Sequence, residues 1–571
     1  MSTPSDSLPT ATRVSDPGIR ALYRLENRWQ AWLDVEAALA RAQAELGIIP
    51  AAAAEAIAAK ARLELMDRAR IDEGFARTGH TIVPLVWELG RIVGEPHGGW
   101  VHWGATTQNI TQTGDLLVLR QAHAIFLRQI GEVLSAMADL AERTADMPMA
   151  GRTHGQHAVP ATFGYKVAVW IDELLRHVER LRQAAPRLFI AMLGGGAGTY
   201  ASLGNQGPPV QQAIGRLLGF GSMTVPSRAI GDHLAENICI LGLLAATCGK
   251  IGREVYTLMK TEFGEVEEPV PPGTVGSSTM PQKRNPKLCQ DIIAASAEVR
   301  SLVPLALEAM TTEHEADRTT SLMMDSAESR ACIATGDMLS RLGEIMRGLR
   351  VDPKRMRANL DLGGGLIMAE AVMLDLGAAI GRQHAHDVVY DAAQAAFVEG
   401  KSFSDLLAAD IRSCVPLALE AMMTEHEADR TTSLMMDTAE SRACIATGDM
   451  LARVGEIVRG LKIDPARMRA NLDLGGGLIM AEAVMLDLGA AIGRQHAHDV
   501  VYDAAQAAFV EGRSFSDLLA ADKRLTAHMD RKAIAKLLDP TAYTGLCSDM
   551  AREGVTRARG AAAELAARTF K

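Results

Sequence analysis

Three polar segments of the 571-residue chain hold side chains that could do chemistry together. The densest is Gly276-Ser277-Ser278-Thr279-Met280-Pro281-Gln282-Lys283-Arg284-Asn285-Pro286, preceded by Pro271-Pro272-Gly273. Hydroxyls, cations and amides crowd into nine residues, Ser277 to Asn285, on what the prolines and glycines make a loop. A β-elimination beside a carboxylate needs such a set: a base to take a Cβ proton, and donors to hold the dianionic aci-carboxylate that forms. A loop can also close over a bound molecule and exclude water. By composition alone the same residues would make a Gly/Ser/Pro surface loop.

The second segment is Gly151-Arg152-Thr153-His154-Gly155-Gln156-His157. Two histidines three apart hint at a metal pair, but no third ligand is evident. An imidazole titrating near neutrality suits proton transfer, and a structural hydrogen-bonding role is the plainer alternative. The third segment runs from Trp100 through His102 to Thr106, Thr107, Gln108 and Asn109. Its hydroxyls and amides, just ahead of a helical stretch, are good carboxylate donors or simply a helix N-cap. His80, after Thr78 and Gly79, is a further imidazole whose plainest reading is a surface histidine.

Elements of the right length lie between these segments. Residues 19–93 read as helical, with Leu33, Val35, Ala38, Leu39 and Ala42 on one apolar stripe. Long helices are expected over 115–146, 161–185 and 233–261, and consecutive long helices imply a bundle. The breaks at 97–109, 193–207 and 264–286 are loops that such a scaffold would hold. Residues 1–18, rich in Ser, Thr and Pro, read as a loose arm.

Residues 303–410 recur at 415–522 with nine differences, among them Thr311/Met423, Ser326/Thr438, Leu342/Val454 and Lys401/Arg513. A unit this long and this little changed is not a solenoid repeat. Removing one copy leaves 459 residues.

Composition sets the broad class. Hydrophobic residues make up 48% of the chain but aromatics only 4%, so Ala, Leu, Ile, Val and Met carry the core and favour helix. The net charge of −10, with no basic block, argues against nucleic acid as a partner. Seven scattered cysteines without CxxC fit neither a disulfide framework nor a zinc site and suggest a reducing compartment. The polar N-terminus and the lack of an 18-residue uncharged apolar run argue against export and membrane insertion. The expected location is cytoplasmic.

The loop Gly276–Pro286 resembles the signature of the fumarase/aspartase superfamily. Residues 151–164 resemble its THxxxAxPxTFG stretch, 100–109 its VHxGxTSxD stretch, and Gly196–Ala201 and Gly363–Glu370 two scaffold segments. The resemblance covers roughly residues 20–410 and the tail 538–543, and is nearest the adenylosuccinate lyase and 3-carboxy-cis,cis-muconate cycloisomerase branch. It implies Ser277 as the catalytic base beside Ser278, and His154 as the general acid. It implies Lys283 and Asn285 as carboxylate binders, with His102, Thr106, Thr107, Gln108, Thr153 and Met280 at the substrate and His80 a weaker match. No cofactor or metal is implied.

The implied fold is all-α, in three domains around a long-helix bundle. Four bundles would join in a homotetramer whose active sites draw on three subunits. The expected divisions are 1–114, an N-terminal helical domain; 115–350, the bundle with its loop 271–286; 351–410, a C-terminal-type helical unit; 411–522, a near-identical repeat of 299–410; and 523–571, a helical tail. The implied reaction is β-elimination with C–N cleavage of a succinyl- or aspartyl-type dicarboxylate, giving fumarate or a related acid. Muconate-type cycloisomerisation to a lactone and an inactive structural homologue are the alternatives.

The pattern departs from the superfamily at Asn109 and Gln290, where acids are usual, at Ala316 and Ala428, where Arg follows His-Glu, and at Gly231. These losses point away from adenylosuccinate itself. Arg318 or Arg430 could stand in for the missing cation.

Overall fold

Alanine, leucine and isoleucine at helical spacing wind most of this chain into α-helices. The computed structural model describes residues 10, 14–200, 203–271, 279–280, 282–399, 402–403, 405–407, 439–492, 494–542 and 547–567. They fall into two units. One runs to Pro269 and resumes over Pro286–Met368; the other comprises Val270–Asn285 and everything from Ala369 onward.

The first unit opens with α1 (Ile19–Leu22), α2 (Leu25–Glu45), α3 (Ala51–Lys60), α4 (Arg68–Thr78) and α5 (Val83–Val93). The stripe expected on α2 is buried throughout, with Leu33, Val35 and Leu39 each 1% exposed. The arm before α1 is not loose where it is described. Thr10 is fully buried and its hydroxyl bonds Asp291 Oδ2 at 2.5 Å, while Arg341 Nε donates to it at 2.8 Å. A buried arginine and carboxylate pair need such a third partner, which no local pattern announces.

The bundle follows: α6 (Thr107–Arg143), the hairpin β1 (Pro148–Thr153) and β2 (Gln156–Thr162), α7 (Phe163–Leu188), β3 (Ile190–Ala191), α8 (Gly207–Leu218), β4 (Gly221–Ser222) and α9 (Asp232–Leu258). Then come β5 (Val266–Glu267), α10 (Lys287–Glu308), α11 (Arg318–Gly348), β6 (Arg350–Val351) and α12 (Pro353–Leu360). β3 pairs with β4 in parallel and β5 with β6 antiparallel. The core runs along α6, α7, α9, α10 and α11, with Phe126, Ile130, Leu174, Leu241, Ile292, Val299 and Leu342 enclosed. α9 is apolar enough to cross a bilayer, at a mean hydropathy of 1.5. Its packing against α7, α10 and α11 explains that apolarity as core.

The second unit holds α13 (Ala369–Ile380), α14 (Arg382–Glu399), α15 (Ala439–Gly460), α16 (Pro465–Asp473), α17 (Ala481–Ile492), α18 (Arg494–Glu511), α19 (Phe515–Ala521), α20 (Lys523–Thr526), α21 (Arg531–Leu537) and α22 (Cys547–Ala567). Its core joins Val484 and Leu488 of α17, Val500 and Val501 of α18, and Phe515, Leu519, Leu525 and Ile534 beyond.

The two copies of the repeat therefore have different uses. The first copy's α11 is built into the bundle, whereas its counterpart α15 leaves Met450 57%, Val454 49% and Ile457 63% exposed. For the helical hairpin the order reverses: Val484 and Leu488 are fully enclosed, while Val372 and Leu376 are only half-buried.

Candidate active site

A cavity of about 780 Å³ opens in the first unit where α2, the start of α6, the 228–231 turn and the start of α11 converge. One wall is apolar and aromatic, with Leu25, Trp29, Trp32 and Phe75. Facing it are three guanidiniums, Arg28, Arg228 and Arg318, with the polar side chains of Thr107, Gln108, Thr111 and Gln112. Such a lining can hold an anionic group at one end and an apolar one at the other.

Each cation has its own anchor. Arg28 grips Asp115 with two bonds, Nε to Oδ1 at 2.9 Å and Nη2 to Oδ2 at 2.6 Å. Trp32 Nε1 donates to the same Oδ1 at 3.1 Å. Arg228 Nε donates to Gln108 Oε1 at 3.1 Å and its Nη1 to the Gly196 carbonyl at 2.7 Å, tying α6 to the loop after β3. Arg318 Nη1 reaches Thr81 Oγ1 at 3.1 Å. Behind them lie Asp325 and Glu328. Burial, reinforced by Asp115 and then Asp325, raises the Glu328 pKa to about 8, against the pull of Arg28.

Of the residues singled out in the sequence, the cavity brings together His80, Thr107 and Gln108. Thr106 is the N-cap of α6, and its backbone N–H donates to Asn109 Oδ1 at 3.0 Å. Asn109, 1% exposed, also accepts the Gly195 N–H at 3.2 Å. The side chain that replaces an acid in the stretch it resembles thus caps a helix and anchors a loop, which a neutral amide oxygen does without burying a charge.

His102 stands apart from the cavity lining. Its Nδ1 lies 2.5 Å from Glu36 Oε1, and Glu36 is 2% exposed. Burial opposes the imidazolium, but the Glu36 carboxylate outweighs it and raises the His102 pKa.

Thr153 and His154 stand exposed at the end of the β1–β2 hairpin. Thr153 pairs with Gln156, so His154 and Gly155 form a two-residue turn. Both have positive φ, 51° and 79°, as the tight turn matching strand twist requires. The hairpin is bolted at its base: Arg152 meets fully buried Glu265 through two bonds, of 2.6 and 3.1 Å. Asn359 of α12 donates to the same carboxylate at 2.8 Å.

The signature loop is described in part. Ser277 and Ser278 lie outside the described residues. Met280 accepts the Lys283 N–H at 3.0 Å in a turn that leaves Lys283 exposed and Asn285 half-buried. Within its own unit, Arg284 lies over the Phe509 ring at 4.6 Å and donates to Gln506 Oε1 at 3.4 Å, both on α18. The helix after the loop starts against Glu268, whose carboxylate accepts the Leu288 and Cys289 N–H groups at 3.0 Å each. Gln290 is exposed on that helix. Among the described residues, no three His, Cys, Asp or Glu side chains are grouped to hold a metal ion.

Sequence reasoning missed Arg28, Arg228, Asp115 and Glu328. Only the run of Arg28 beside Trp29 and Trp32 on one helix offered a hint.

The comparisons with known proteins agree on one grouping. A family described as "Lyase" matches residues 11–301, and "Adenylosuccinate lyase C-terminus" matches residues 365–439 and 477–553, once in each copy of the repeat. N-acetyl-S-(2-succino)cysteine lyase of Enterococcus italicus is 40% identical over 402 residues, 70% of this chain and 88% of that protein. 3-carboxy-cis,cis-muconate cycloisomerase of Pseudomonas aeruginosa is 39% identical over 448 residues, 77% of this chain and 95% of the other. The crystal structure of a fumarate lyase from Mesorhizobium sp. BNC1 superposes with a TM-score of 0.66 at 37% identity, covering 71% of this chain and 92% of that one.

Proposed function

Because this chain belongs to the lyase family of the fumarase/aspartase superfamily, we propose that it splits a succinyl- or aspartyl-type dicarboxylate by β-elimination, releasing fumarate or a related unsaturated acid. The observation that carries the reading is the unbroken loop Gly276–Pro286 in a chain of that family. Ser277 takes the Cβ proton. Lys283, Asn285 and the hydroxyl and amide donors of Thr106, Thr107 and Gln108 hold the aci-carboxylate. His154 protonates the leaving atom, with His102, Thr153, Ser278, Met280 and His80 around the substrate. We take the leaving atom to be nitrogen. The succinyl-cysteine relative makes sulfur the first substitute to try.

The cavity supports this assignment. Its three arginines suit carboxylates, and its aromatic wall suits a substituent smaller and more apolar than a nucleotide. His154 is not among the side chains lining the cavity of its own chain. We therefore assign the complete site to a homotetramer in which the hairpin serves a neighbouring subunit, the enzyme residing in the cytoplasm. Mixing inactive Ser277→Ala and His154→Gln variants should restore part of the activity if sites are shared; no recovery on mixing would show each chain self-sufficient.

Absorbance of the released unsaturated acid, followed over N- and S-substituted succinates, tests the reaction. Ser277→Ala should keep ligand binding by calorimetry and lose about 10²–10⁴ in turnover, the usual worth of a positioned base. Full activity in that variant refutes the assignment. A second reading, cycloisomerisation of a carboxymuconate, is favoured by the 95% of the cycloisomerase relative that this chain covers. Lactone formation without any acid released would select it.

A further inference from the structure

The duplication gives the bundle two candidates for one place. α11 is enclosed on almost every side, with Met338, Leu342, Ile345 and Met346 at most 1% exposed. α15 repeats its sequence 112 residues later. The matching Met450, Val454, Ile457 and Val458 are 57, 49, 63 and 66% exposed. A helix with that much apolar surface in water carries a packing pattern it is not using.

We propose that α11 and α15 are rival occupants of the single groove formed by α6, α9 and α10, and that three side chains decide which one fills it. Over the 22 positions of α15, Ala439–Gly460, the two helices differ only at Ser340/Ala452, Leu342/Val454 and Met346/Val458. All three changes leave α15 the poorer fit. Leu342 is fully enclosed and Met346 is 1% exposed, so the valines would leave voids. Ser340 Oγ accepts from Gln129 Nε2 at 2.8 Å, a bond Ala452 cannot offer. Gln129 would keep its bond to the Gly336 position, at 3.0 Å, so this loss is partial.

Chain connectivity does not decide the contest. Whichever copy enters the groove, the stretch left over is one repeat of 112 residues. Loop-closure entropy grows only with the logarithm of length, so it nearly cancels between the two arrangements. The other differences in the exchanged block, at Thr311, Ser326, Arg350, Val351 and Lys354, fall on exposed or half-exposed positions. Each core truncation is worth roughly five- to tenfold in occupancy and the lost hydrogen bond about threefold. The preference for α11 is then on the order of a hundredfold, which leaves about one molecule in a hundred with α15 in the groove. The balance is close enough for a few side chains to move it.

Hydrogen exchange on the full chain, read by mass spectrometry, tests this, because the three differing positions distinguish peptides from the two helices. In the unaltered protein, amides of 330–346 should be protected about a hundredfold and those of 442–458 hardly at all. Amides of α9 and α10 should exceed that ceiling, since neither has a rival. The variant Ala452→Ser/Val454→Leu/Val458→Met alters only exposed α15, so it does not threaten the fold. It should cut α11 protection to within about twofold of complete exchange and raise that of α15 to match. Ser340→Ala/Leu342→Val/Met346→Val should equalise the two from the other side. Unchanged α11 protection in the α15 variant would overturn the proposal, as would α15 as well protected as α11 in the unaltered protein.

Discussion

Glu328 shows how much of a site rests on a few side chains far apart in the chain. Its Oε1 accepts the Tyr23 hydroxyl at 3.3 Å, and Asp115 and Asp325 crowd the same guanidinium of Arg28. Burial and then those two carboxylates lift its pKa to about 8. The folded protein therefore holds a proton that the unfolded chain releases above its ordinary carboxyl range, near pH 4.5. The sign follows: between about pH 4.5 and 8 the folded state binds more protons, so stability falls as pH rises. A loss of about 2–4 kcal/mol across that window is expected, less than the whole shift would give because Asp325 opens to water. Urea midpoints at pH 5.5 and 8 should differ by that amount in the unaltered protein and hardly at all in Glu328→Gln. A variant as pH-sensitive as its parent would move the titration elsewhere. None of this was legible in the sequence. Tyr23, Arg28, Asp115 and Glu328 follow no short spacing, and only folding brings them together. His80, Thr107 and Gln108 were legible because a motif fixed them as neighbours.

Among the elements, helices were the easiest to read and the hairpin the hardest. The stretches expected at 115–146, 161–185 and 233–261 emerged as α6, α7 and α9, because apolar residues at a period near 3.6 leave one solution for a buried face. α6 began earlier, at Thr107, because Thr106 caps it. The β1–β2 hairpin had no such period. Pro148, Gly151 and Pro160 interrupt its strands, and its coherence comes from Glu265, more than a hundred residues away. That long-range bolt sets the next expectation. Arg152→Met would leave a fully buried carboxylate facing no cation, at a cost of about 3–5 kcal/mol. The double variant Arg152→Met/Glu265→Gln should recover most of that loss. Chemical denaturation of the four proteins of this cycle measures it, and equal stability in the single and double variants would mean that the pair contributes nothing as a pair.

At the scale of the whole molecule, the repeat makes the chain longer than its fold requires, and the structure shows which parts are surplus. The bundle uses the first copy's helix, α11. The second unit builds its core from the second copy's hairpin, α17 and α18, and rests Arg284 of the signature loop on Phe509 and Gln506 of α18. The surplus is the 112 residues between, 351–462, and not either copy as the sequence divides them. Two deletions therefore give chains of equal length but unequal quality. Removing 351–462 keeps Ser340, Leu342 and Met346; removing 303–414 keeps Ala452, Val454 and Val458 in the same places. Both discard one apolar helix, so both should be less prone to associate than the full chain. The first should be more stable than the second by about 2–3 kcal/mol, the sum of two core truncations and one partial hydrogen bond. Paired urea titrations measure that difference directly. Equal midpoints would mean that the groove along α6, α9 and α10 does not sense the three side chains, and the choice of copy would then lie in the chain connections instead.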